Sequence, residues 1–428
     1  MHSKYLAASA GLLAALALGV TACGGDDDNG GSSGGGSSSG GGEAAGKQLT
    51  IYSSAPLQGA SRVQTTAVVN GAKLALEQAG NKAGPHTIKY EPLDDSTAQA
   101  GNWTPEQESS NARKAAQDDS TAVYLGTFNS GAAAVSIPIL NEAGIPMISP
   151  ANTAVGLTTN QPGSNPGEPD KYYPAGTRNY TRIVPKDTIQ GAALATVMKE
   201  DGCTKVQLTN DKEVYGAGLA SNIELAAKAQ GLTIISNEAI DKNAANYRSL
   251  AQKAKGAGAD CFVYAGITAN NAVQLYKDFA AALPDAKGLY GPDGVAESGF
   301  VDPKEGGLPA DVQAKVKVSV ATLNPDSYPP EGQEFFKAFS EKYGEDNPDP
   351  YAIYGYEAMR LALDAIERSK TGEKADIIKA LFATKDRQSV LGTYSIDENG
   401  DTTLTDYGAY GVENGELKFD QTIKAQAG

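Results

Sequence analysis

Short apolar runs alternate along the chain with longer stretches in which apolar residues recur every three or four positions. The runs at residues 49–53 and 122–128 have the length and composition of strands, and a helical pattern follows each of them. Strands and helices that alternate in this way are typical of parallel α/β units. The same alternation predicts further strands at residues 180–185, 204–209, 232–235, 261–265 and 316–321.

Helical periodicity fills the intervals between these strands. It predicts helices at residues 189–200, 218–229, 247–255 and 271–282, and two later ones at residues 332–343 and 352–369. Two doubly wound parallel-sheet lobes would account for this number of elements. The sequence therefore predicts an α/β fold.

A turn signal lies near the carboxyl end of the chain. The segment Glu398-Asn399-Gly400-Asp401 separates predicted strands at residues 392–397 and 407–412, and Asn-Gly predicts a hairpin turn between them. The segment lacks the glycine at position six and the terminal glutamate of an EF-hand, so a calcium loop is not predicted.

The amino terminus has the pattern of an export signal. His2 and Lys4 precede an apolar stretch at residues 6–20, and Val20-Thr21-Ala22-Cys23 follows. This ending resembles the bacterial lipobox, in which the cysteine is lipidated and becomes the first residue of the mature protein. We therefore predict a signal peptide at residues 1–22 and lipidation of Cys23. A retained membrane helix is the alternative, because residues 5–22 are just long enough to be marginal.

The next segment predicts a flexible tether. Residues 24–46 are rich in Gly, Ser and Asp and offer almost nothing to bury, so with Cys23 they form a predicted tether at residues 23–46. A Gly-rich chain of this length spans roughly 25 Å. No later stretch approaches ~18 uninterrupted apolar residues, so no membrane span is predicted after the tether.

Length and charge narrow the class of protein further. A chain of 428 residues is long enough for two or three domains with sizeable cores. Asp and Glu number 51 against 36 Lys and Arg, and no basic cluster is present, which argues against a nucleic-acid partner. The acidic balance names no ligand, because surface charge commonly serves solubility.

Catalytic and metal-binding patterns are scarce. The histidines are His2, which is lost with the signal peptide, and His86, around which nothing indicates a nucleophile elbow. Cys203 and Cys261 lie far apart without companion ligands at zinc spacing, and no Gly-rich phosphate loop is present. We expect no enzyme activity, no metal and no cofactor, although an enzyme built on carboxylates alone stays open as an alternative.

Two segments carry a family resemblance, YLGTFNSG at residues 124–131 and IPMISPANT at residues 145–153. Together they resemble the leucine/isoleucine/valine-binding proteins, which are type I periplasmic binding proteins. Further matches follow in the family's order: NDK at 210–212 with YG at 215–216, FVYAG at 262–266 and GPDGV at 291–295. The likeness covers residues 47–428.

The resemblance implies two lobes joined by three crossovers near Val184, Asn324 and Tyr407. The first lobe would comprise residues 47–183 and 325–406, and the second residues 184–324 and 407–428. It also implies a monomeric receptor, anchored by lipid outside the cytoplasmic membrane, that delivers a small molecule to the permease of an ABC importer. A ligand-sensing subunit of a signalling system with the same fold is an alternative.

The first lobe offers an anion site. Ser130 follows a predicted strand and opens a predicted helix at residues 131–141, so its hydroxyl and the free backbone N–H groups beyond it suit a carboxylate. Residues 149–153 follow the next strand at a second carboxyl-end turn, where open α/β sheets bind ligands. By resemblance, Ser130, Ala151 and Thr153 would hold the ligand carboxylate. The alternatives are a plain helix cap at Ser130 and an ordinary turn residue at Thr153.

The resemblance also assigns residues of the second lobe and the cleft wall. Asp293 occupies the position where the family's amino-acid binders carry a glutamate for the ligand ammonium. Tyr215 and Tyr351 match aromatic wall positions, although either could be a packing residue. Ile267 replaces an aromatic residue of those relatives.

Other departures leave the ligand open. Asn152 replaces a small residue beside the pocket, and the loop after Pro56 is longer than in the relatives, so no contact is assigned to residues 58–63. The predicted ligand is an amino acid of branched-chain type. Other amino acids, amides, urea and aromatic acids are the alternatives.

Strand order predicts a disulfide. Cys203 and Cys261 lie at the starts of the first and third predicted strands of the second lobe. In the strand order 2-1-3 these strands are neighbours, and disulfides persist in exported proteins. We predict a Cys203–Cys261 bond; two buried free thiols are the alternative.

Overall fold

A computed structural model describes residues 46–345 and 348–425 of the chain. The predicted signal peptide, Cys23 and the predicted tether as far as residue 45 lie outside the described residues. In the part that the structure describes, no helix has the length and apolar character that crossing a membrane requires.

The strands are numbered in chain order. They are β1 Gln48–Ala55, β2 Lys82–Ala83, β3 His86–Asp94, β4 Ser96–Thr97, β5 Asn102–Trp103, β6 Thr121–Gly126, β7 Met147–Ser149, β8 Tyr180–Arg182, β9 Lys205–Asn210, β10 Thr233–Ala239, β11 Cys261–Ala265, β12 Leu289–Gly291, β13 Val316–Val320, β14 Arg387–Ser389, β15 Gly392–Tyr394, β16 Asp406–Glu413 and β17 Glu416–Lys424.

The helices are numbered in the same way. They are α1 Arg62–Gln78, α2 Pro105–Gln117, α3 Ser130–Glu142, α4 Asp187–Glu200, α5 Val214–Ala229, α6 Arg248–Gly256, α7 Ala272–Ala282, α8 Ser298–Val301, α9 Ala310–Gln313, α10 Pro330–Tyr343, α11 Ala352–Ser369 and α12 Lys374–Phe382.

The first sheet has the strand order β2-β3-β1-β6-β7-β8 and is parallel except at its β2 edge. Successive side chains of a strand point to opposite faces. Ile51 and Val123 therefore pack in the core that includes residues of α1 and α11, whereas Tyr52 and Tyr124 pack with residues of α2 and α3. Helices cover both faces of the sheet, so the side chains of β1 and β6 are buried along almost the whole length of each strand.

The second sheet has the strand order β10-β9-β11-β12-β13-β16-β17. Strands β10 to β13 are parallel, and β16 and β17 add antiparallel at one edge. We call the elements around the first sheet the first lobe and those around the second sheet the second lobe. This confirms the predicted class of two doubly wound lobes.

The chain passes between the lobes at three places. It leaves β8 for α4 through residues 183–186, returns from β13 to α10 through residues 321–329, and leaves β15 for β16 through residues 395–405. Val184 and Asn324 lie within the first two passages, and Tyr407 lies just after the third. The exact lobe boundaries remain a prediction.

A close approach of two helices positions one edge of the cleft. A Cβ on Gly71 of α1 would lie 2.1 Å from the carbonyl oxygen of Ala352, and one on Gly355 of α11 would lie 2.0 Å from that of Val68. Only glycine lets the two helices pack at this distance. Tyr351 precedes α11 directly, so this packing fixes where its backbone lies.

The predicted disulfide is confirmed. Cys203 and Cys261 are bonded, with their Cα atoms 5.9 Å apart. Strands β9 and β11 are parallel neighbours, and Cys261 pairs in register with Val206. The bond joins the starting ends of these strands, away from the carboxyl ends where ligands bind.

The predicted hairpin at residues 398–401 is only partly correct. The chain does turn there, because the Asp397 N–H donates to the Asp401 carbonyl at 2.8 Å and Ile396 bridges Thr402. The flanking strands, however, do not pair with each other. Instead β15 pairs with β14, and β16 lies between β13 and β17, because the segment crosses between lobes.

Candidate functional site

Loops at the carboxyl ends of strands from both sheets surround one cavity. In the first lobe these loops follow β6 and β7, and in the second lobe they follow β9, β11 and β12. The cavity thus lies where open α/β sheets place ligands. The predicted site residues that line it are Ser130, Ala151, Thr153, Tyr215, Ile267 and Asp293.

The space left in this cavity is about 30 Å³. An amino acid or an aromatic acid is much larger, so ligand entry requires the lobes or lining side chains to move apart. The remaining lining residues are Trp103, Phe128, Asn129, Gly131, Glu213 and Gly294. The arrangement is that of a cleft closed by two lobes.

The first-lobe wall contains an uncapped helix amino terminus. Helix α3 begins at Ser130, one residue earlier than predicted, and the side chain of the N-cap residue Asn129 makes no capping hydrogen bond. Asn129 Oδ1 is buried and has no hydrogen-bond partner among the described residues. The first backbone N–H groups of a helix lack internal partners and carry partial positive charge, which suits an anion.

The loop after β7 is held by hydrogen bonds to its own backbone. The Ser149 hydroxyl accepts from the Ala151 N–H at 3.2 Å and from the Asn152 N–H at 2.8 Å. Ser130 Oγ accepts from the Ala154 N–H at 3.3 Å, which ties this loop to the start of α3. The Ala151 amide therefore already has a partner within the protein.

Arg182 supports the same loop from behind. Its guanidinium is fully buried and donates to the carbonyls of Asn152 at 3.1 Å and Ala154 at 2.8 Å. Its charge is paired with Asp401 at 2.7 Å, and Lys186 pairs with the same carboxylate at 2.9 Å. Burial alone would raise the pKa of Asp401, but the charges of Arg182 and Lys186 lower it to about 2.

The second-lobe wall presents the Asp293 carboxylate. This residue is 7% exposed, and its Oδ1 accepts from the Tyr215 hydroxyl at 2.5 Å and from Gln190 Nε2 at 2.7 Å. Its Oδ2 accepts from the Tyr351 hydroxyl at 2.6 Å. Burial raises the pKa of Asp293, and the three neutral donors oppose that rise. No cation pairs with this carboxylate in the described part of the chain.

Of the predicted site residues Tyr351 and Ile267, only Ile267 lines the cavity. Tyr351 does not line the cavity; it reaches the site through Asp293 and packs edge-on against Phe128, with ring centroids 5.7 Å apart. Ile267 does line the cavity, and its N–H donates to Asp211 Oδ2 at 3.1 Å. Because Tyr351 belongs to the first lobe, its bond to Asp293 crosses the cleft.

Trp103, Glu213 and Gln190 are among the residues of the site that the sequence did not single out. Trp103 lines the cavity from the short β4–β5 hairpin, for which no element was predicted. Glu213 is a second carboxylate in the lining, with Lys242 Nζ at 3.7 Å. Gln190 supports Asp293 from α4. The position of Glu213 beside Tyr215 was a usable signal, whereas Trp103 stood out only as the single tryptophan of the chain.

Metal binding finds no support in the described residues. Within 46–345 and 348–425, no three His, Cys, Asp or Glu side chains are grouped so that they could hold a metal ion.

Two parallel-sheet lobes that close on a cavity at their carboxyl edges define a protein that captures a small solute between them. The family model described as periplasmic binding protein matches residues 49–416, and the chain belongs to this family. Membership implies a location outside the cytoplasm. It also makes the chain a solute-binding protein of the type of the Leu/Ile/Val-binding proteins and not an enzyme.

Relatives support this placement over most of their length. The chain is 27% identical to the Leu/Ile/Val-binding protein BraC3 of Rhizobium johnstonii over 386 residues, which cover 87% of this chain and 94% of that protein. It is 26% identical to the Leu/Ile/Val-binding protein homolog 1 of Brucella abortus, with 84% and 89% covered.

Solved structures share the fold. The leucine binding protein LivK of Thermotoga maritima superposes with a TM-score of 0.75 at 21% identity and covers 88% of this chain and 99% of its own. LivJ of Streptococcus pneumoniae, in complex with isoleucine, has a TM-score of 0.73 at 21% identity, with 88% and 99% covered. A solute binding protein of R. palustris in complex with benzoate has a TM-score of 0.69 at 21% identity, with 88% and 97% covered.

Proposed function

We propose that this protein binds an α-amino acid, of branched-chain type, and delivers it to the permease of an ABC importer. One observation carries the proposal: the cavity has an uncapped helix amino terminus on one wall and the Asp293 carboxylate on the other. That polarity matches the carboxylate and ammonium groups of a zwitterion. The Leu/Ile/Val-binding relatives support the same ligand class.

Each wall has a role in this proposal. The ligand carboxylate lies against Ser130 and Thr153, with Ala151 beside it, and accepts hydrogen bonds from the start of α3. The ligand ammonium lies against Asp293. Tyr215 and Ile267 form the wall beside the ligand, and Tyr351 holds Asp293 in place.

Lobe closure connects binding to transport. A ligand that contacts both lobes favours the closed arrangement by its differential affinity for the two arrangements. The permease would recognise the closed form, so only the loaded receptor signals that solute is available. No chemical change in the ligand is needed.

A ligand screen tests the proposal. A ligand that binds only the native state at a hundredfold excess over its Kd stabilises it by about 2.7 kcal/mol. Thermal unfolding measured with single L-amino acids, amides, urea and benzoate should show the largest rise in Tm with leucine, isoleucine or valine. If no amino acid raises Tm while another compound does, the amino-acid assignment is wrong.

Aromatic acids are the second candidate. Asp293 already accepts three hydrogen bonds from neutral donors, and the rings of Trp103 and Phe128 line the same cavity. An aromatic carboxylate could therefore occupy the anion site without an ammonium partner for Asp293. A rise in Tm with benzoate and none with any amino acid would select this candidate.

We also propose that Cys23 anchors the protein by lipid. The signal-like sequence before Cys23 supports this, and two acyl chains suffice for stable membrane attachment. The native protein should fractionate with membranes, and Cys23→Ala should release it or block its maturation. Intact wild-type protein in the soluble fraction with an unmodified Cys23 thiol would rule the anchor out.

A further inference from the structure

A larger cavity lies between the lobes, apart from the ligand cleft. Its volume is about 330 Å³, against about 30 Å³ for the cleft. We call it the second cavity. The first lobe contributes residues of α1, α10 and the segment before α11, and the second lobe contributes residues of α8, β17 and the loop before α8. The lining residues used below are Val63, Glu297, Val301, Phe336, Asp349 and Phe419.

The charged residues of this lining all have one sign. They are Glu297, Glu345, Asp349 and Glu416, and no Lys, Arg or His belongs to the lining within the described residues. An anion would meet only repulsion there. The second cavity is therefore suited to a cation.

Glu297 supplies a second and independent observation. Its side chain is 3% exposed and its carboxyl lies beside the Ser61 and Thr268 hydroxyls, but its Oε1 is buried without a hydrogen-bond partner in the described part of the chain. A buried polar atom without a partner is costly, so such an atom marks a place where a donor from outside the protein would stabilise the fold. An ammonium group is a donor of the right charge.

The remaining walls are apolar. Val301, Phe336 and Phe419 line the space, and Val63 is 39% exposed at it. A bare or hydrated metal ion would gain nothing from these walls, and no metal-binding group of side chains exists among residues 46–345 and 348–425. An apolar body carrying a positive charge satisfies both parts of the lining.

We propose that the second cavity binds a small organic cation with an apolar body, whose ammonium group lies against Glu297. The site is distinct from the cleft, because Asp293 and Ser130 line the cleft and neither lines the second cavity. The proposal does not depend on which ligand the cleft takes.

Calorimetric titration with 2-phenylethylammonium at about pH 8.5, above the pKa of about 7 to which burial raises the Glu297 carboxyl, tests the proposal on the whole protein. Wild-type protein should bind the probe saturably, and it should bind the uncharged analogue 2-phenylethanol at least about tenfold more weakly, because a desolvated charge pair is lost. Glu297→Gln should weaken the ammonium probe by a similar factor. Equal binding of both compounds, or no saturable binding of the ammonium probe, overturns the proposal.

Two surface variants test the same site without changing the buried Glu297, so their result holds even if Glu297→Gln does not fold. Val63→Arg places a cation at the second cavity and should abolish binding of the ammonium probe. Leu225→Arg is the matched control, because Leu225 on α5 is also an exposed apolar residue, at 50%, and does not line the cavity. It should bind the probe as wild type does; if both arginine variants lose binding equally, the site is elsewhere.

The ligand cleft is the other place where the amine probe would find a buried carboxylate, that of Asp293. Asp293→Asn should leave the affinity for 2-phenylethylammonium within about twofold of wild type, since Asp293 does not line the second cavity. Loss of probe binding in Asp293→Asn would assign the amine to the cleft and overturn the second site. If the ligand screen finds no amino acid for the cleft, the binding of 2-phenylethylammonium at the second cavity is unaffected. The proposed function and the second site can therefore be refuted independently of each other.

Discussion

The Asp293 carboxylate has three neutral hydrogen-bond donors and, in the described chain, no cationic partner. A carboxylate can accept about four hydrogen bonds, so Asp293 can take one further donor at Oδ2. An amino-acid ammonium would supply that donor together with the missing charge. The proposed amino-acid ligand class therefore depends on this residue.

We predict that Asp293→Asn strongly weakens binding of an amino-acid ligand. Removing one partner of a buried ion pair costs about 3 to 5 kcal/mol, which corresponds to roughly a hundredfold to several thousandfold in Kd. Calorimetric titration of both forms with the ligand found in the screen measures the effect. Binding of the variant within threefold of wild type would remove the amino-acid assignment.

Glu213→Gln is the matched control, because Glu213 is the other carboxylate of the cleft lining. Its side chain is 23% exposed and has Lys242 Nζ at 3.7 Å, so its charge is already balanced. Glu213→Gln should therefore change the Kd of the ligand much less than Asp293→Asn does. The opposite order would place the ligand ammonium at Glu213.

Individual site residues were predictable to different degrees. Ser130 and Thr153 could be chosen because each follows a strand, and strand ends in parallel sheets converge, whereas Asp293 was assigned only through the family resemblance. The fit of these residues around a ligand stays a prediction. Trp103 could not be found, because its position depends on the β4–β5 hairpin, whose two-residue strands leave no periodic pattern.

At the scale of elements, the disulfide is a covalent constraint on the second lobe. It joins the starts of β9 and β11 across a sequence separation of 58 residues. Closing a loop of this size corresponds to at most about 4 kcal/mol in the chain-entropy model. The bond lies away from the cleft, so its effect should be on stability and not on ligand affinity.

We predict that Cys203→Ala/Cys261→Ala lowers the free energy of unfolding by up to about 4 kcal/mol while leaving Kd for the cleft ligand unchanged. Denaturant unfolding of both proteins, made in a Cys23→Ala background, measures the difference. A reductant should lower wild-type stability to that of the variant and should not affect the variant. Two titratable thiols in denatured, unreduced wild-type protein would contradict the bond.

Element types were easier to predict than their ends and partners. The start of α5 at Val214 was predicted four residues late, because Gly216 and Gly218 weaken the helical pattern in its first turns. The turn at residues 397–401 was recognised from Asn-Gly, but strand pairing depends on which lobe each flank joins. That choice is a tertiary property and leaves no local signal.

On the scale of the whole molecule, buried carboxylates set the pH dependence of stability. Burial raises the pKa of Glu297 to about 7, that of Asp349 to about 7 and that of Asp211 to about 6. A carboxyl whose pKa is raised on folding stabilises the protein below its unfolded pKa, and this contribution is lost as pH rises through its folded pKa. Asp401 acts oppositely, since its pKa is lowered to about 2.

We predict that the free energy of unfolding is largest near about pH 4 to 5 and falls toward about pH 7, since the raised groups release protons over that interval. The contribution of Asp401 is lost only below that maximum, as pH falls toward about 2. Denaturant unfolding across pH measures the curve. Glu297→Gln should make the decline shallower, whereas the exposed control Asp311→Asn should not. Stability that rises steadily from pH 5 to 7 would contradict the prediction.

The overall architecture was predictable because alternation of strands and helices is repeated along the whole chain. Handedness and strand order in such sheets follow general rules, so two lobes and a neighbouring pair of cysteine-bearing strands could be expected. The second cavity could not, because its walls come from α1, α8, α10 and β17, which are distant in sequence.

The last strands of the chain complete the second sheet. Strand β16 pairs with β13, β17 pairs with β16, and the Tyr407 hydroxyl donates to the Pro185 carbonyl at 2.9 Å, beside the first passage between lobes. Strand β13 ends at Val320 and β16 begins at Asp406, so this pairing joins segments that are distant along the chain. Closing so long a loop costs entropy before the pairing can stabilise it. The second lobe should therefore fold more slowly than a sheet whose neighbouring strands are also neighbours in sequence.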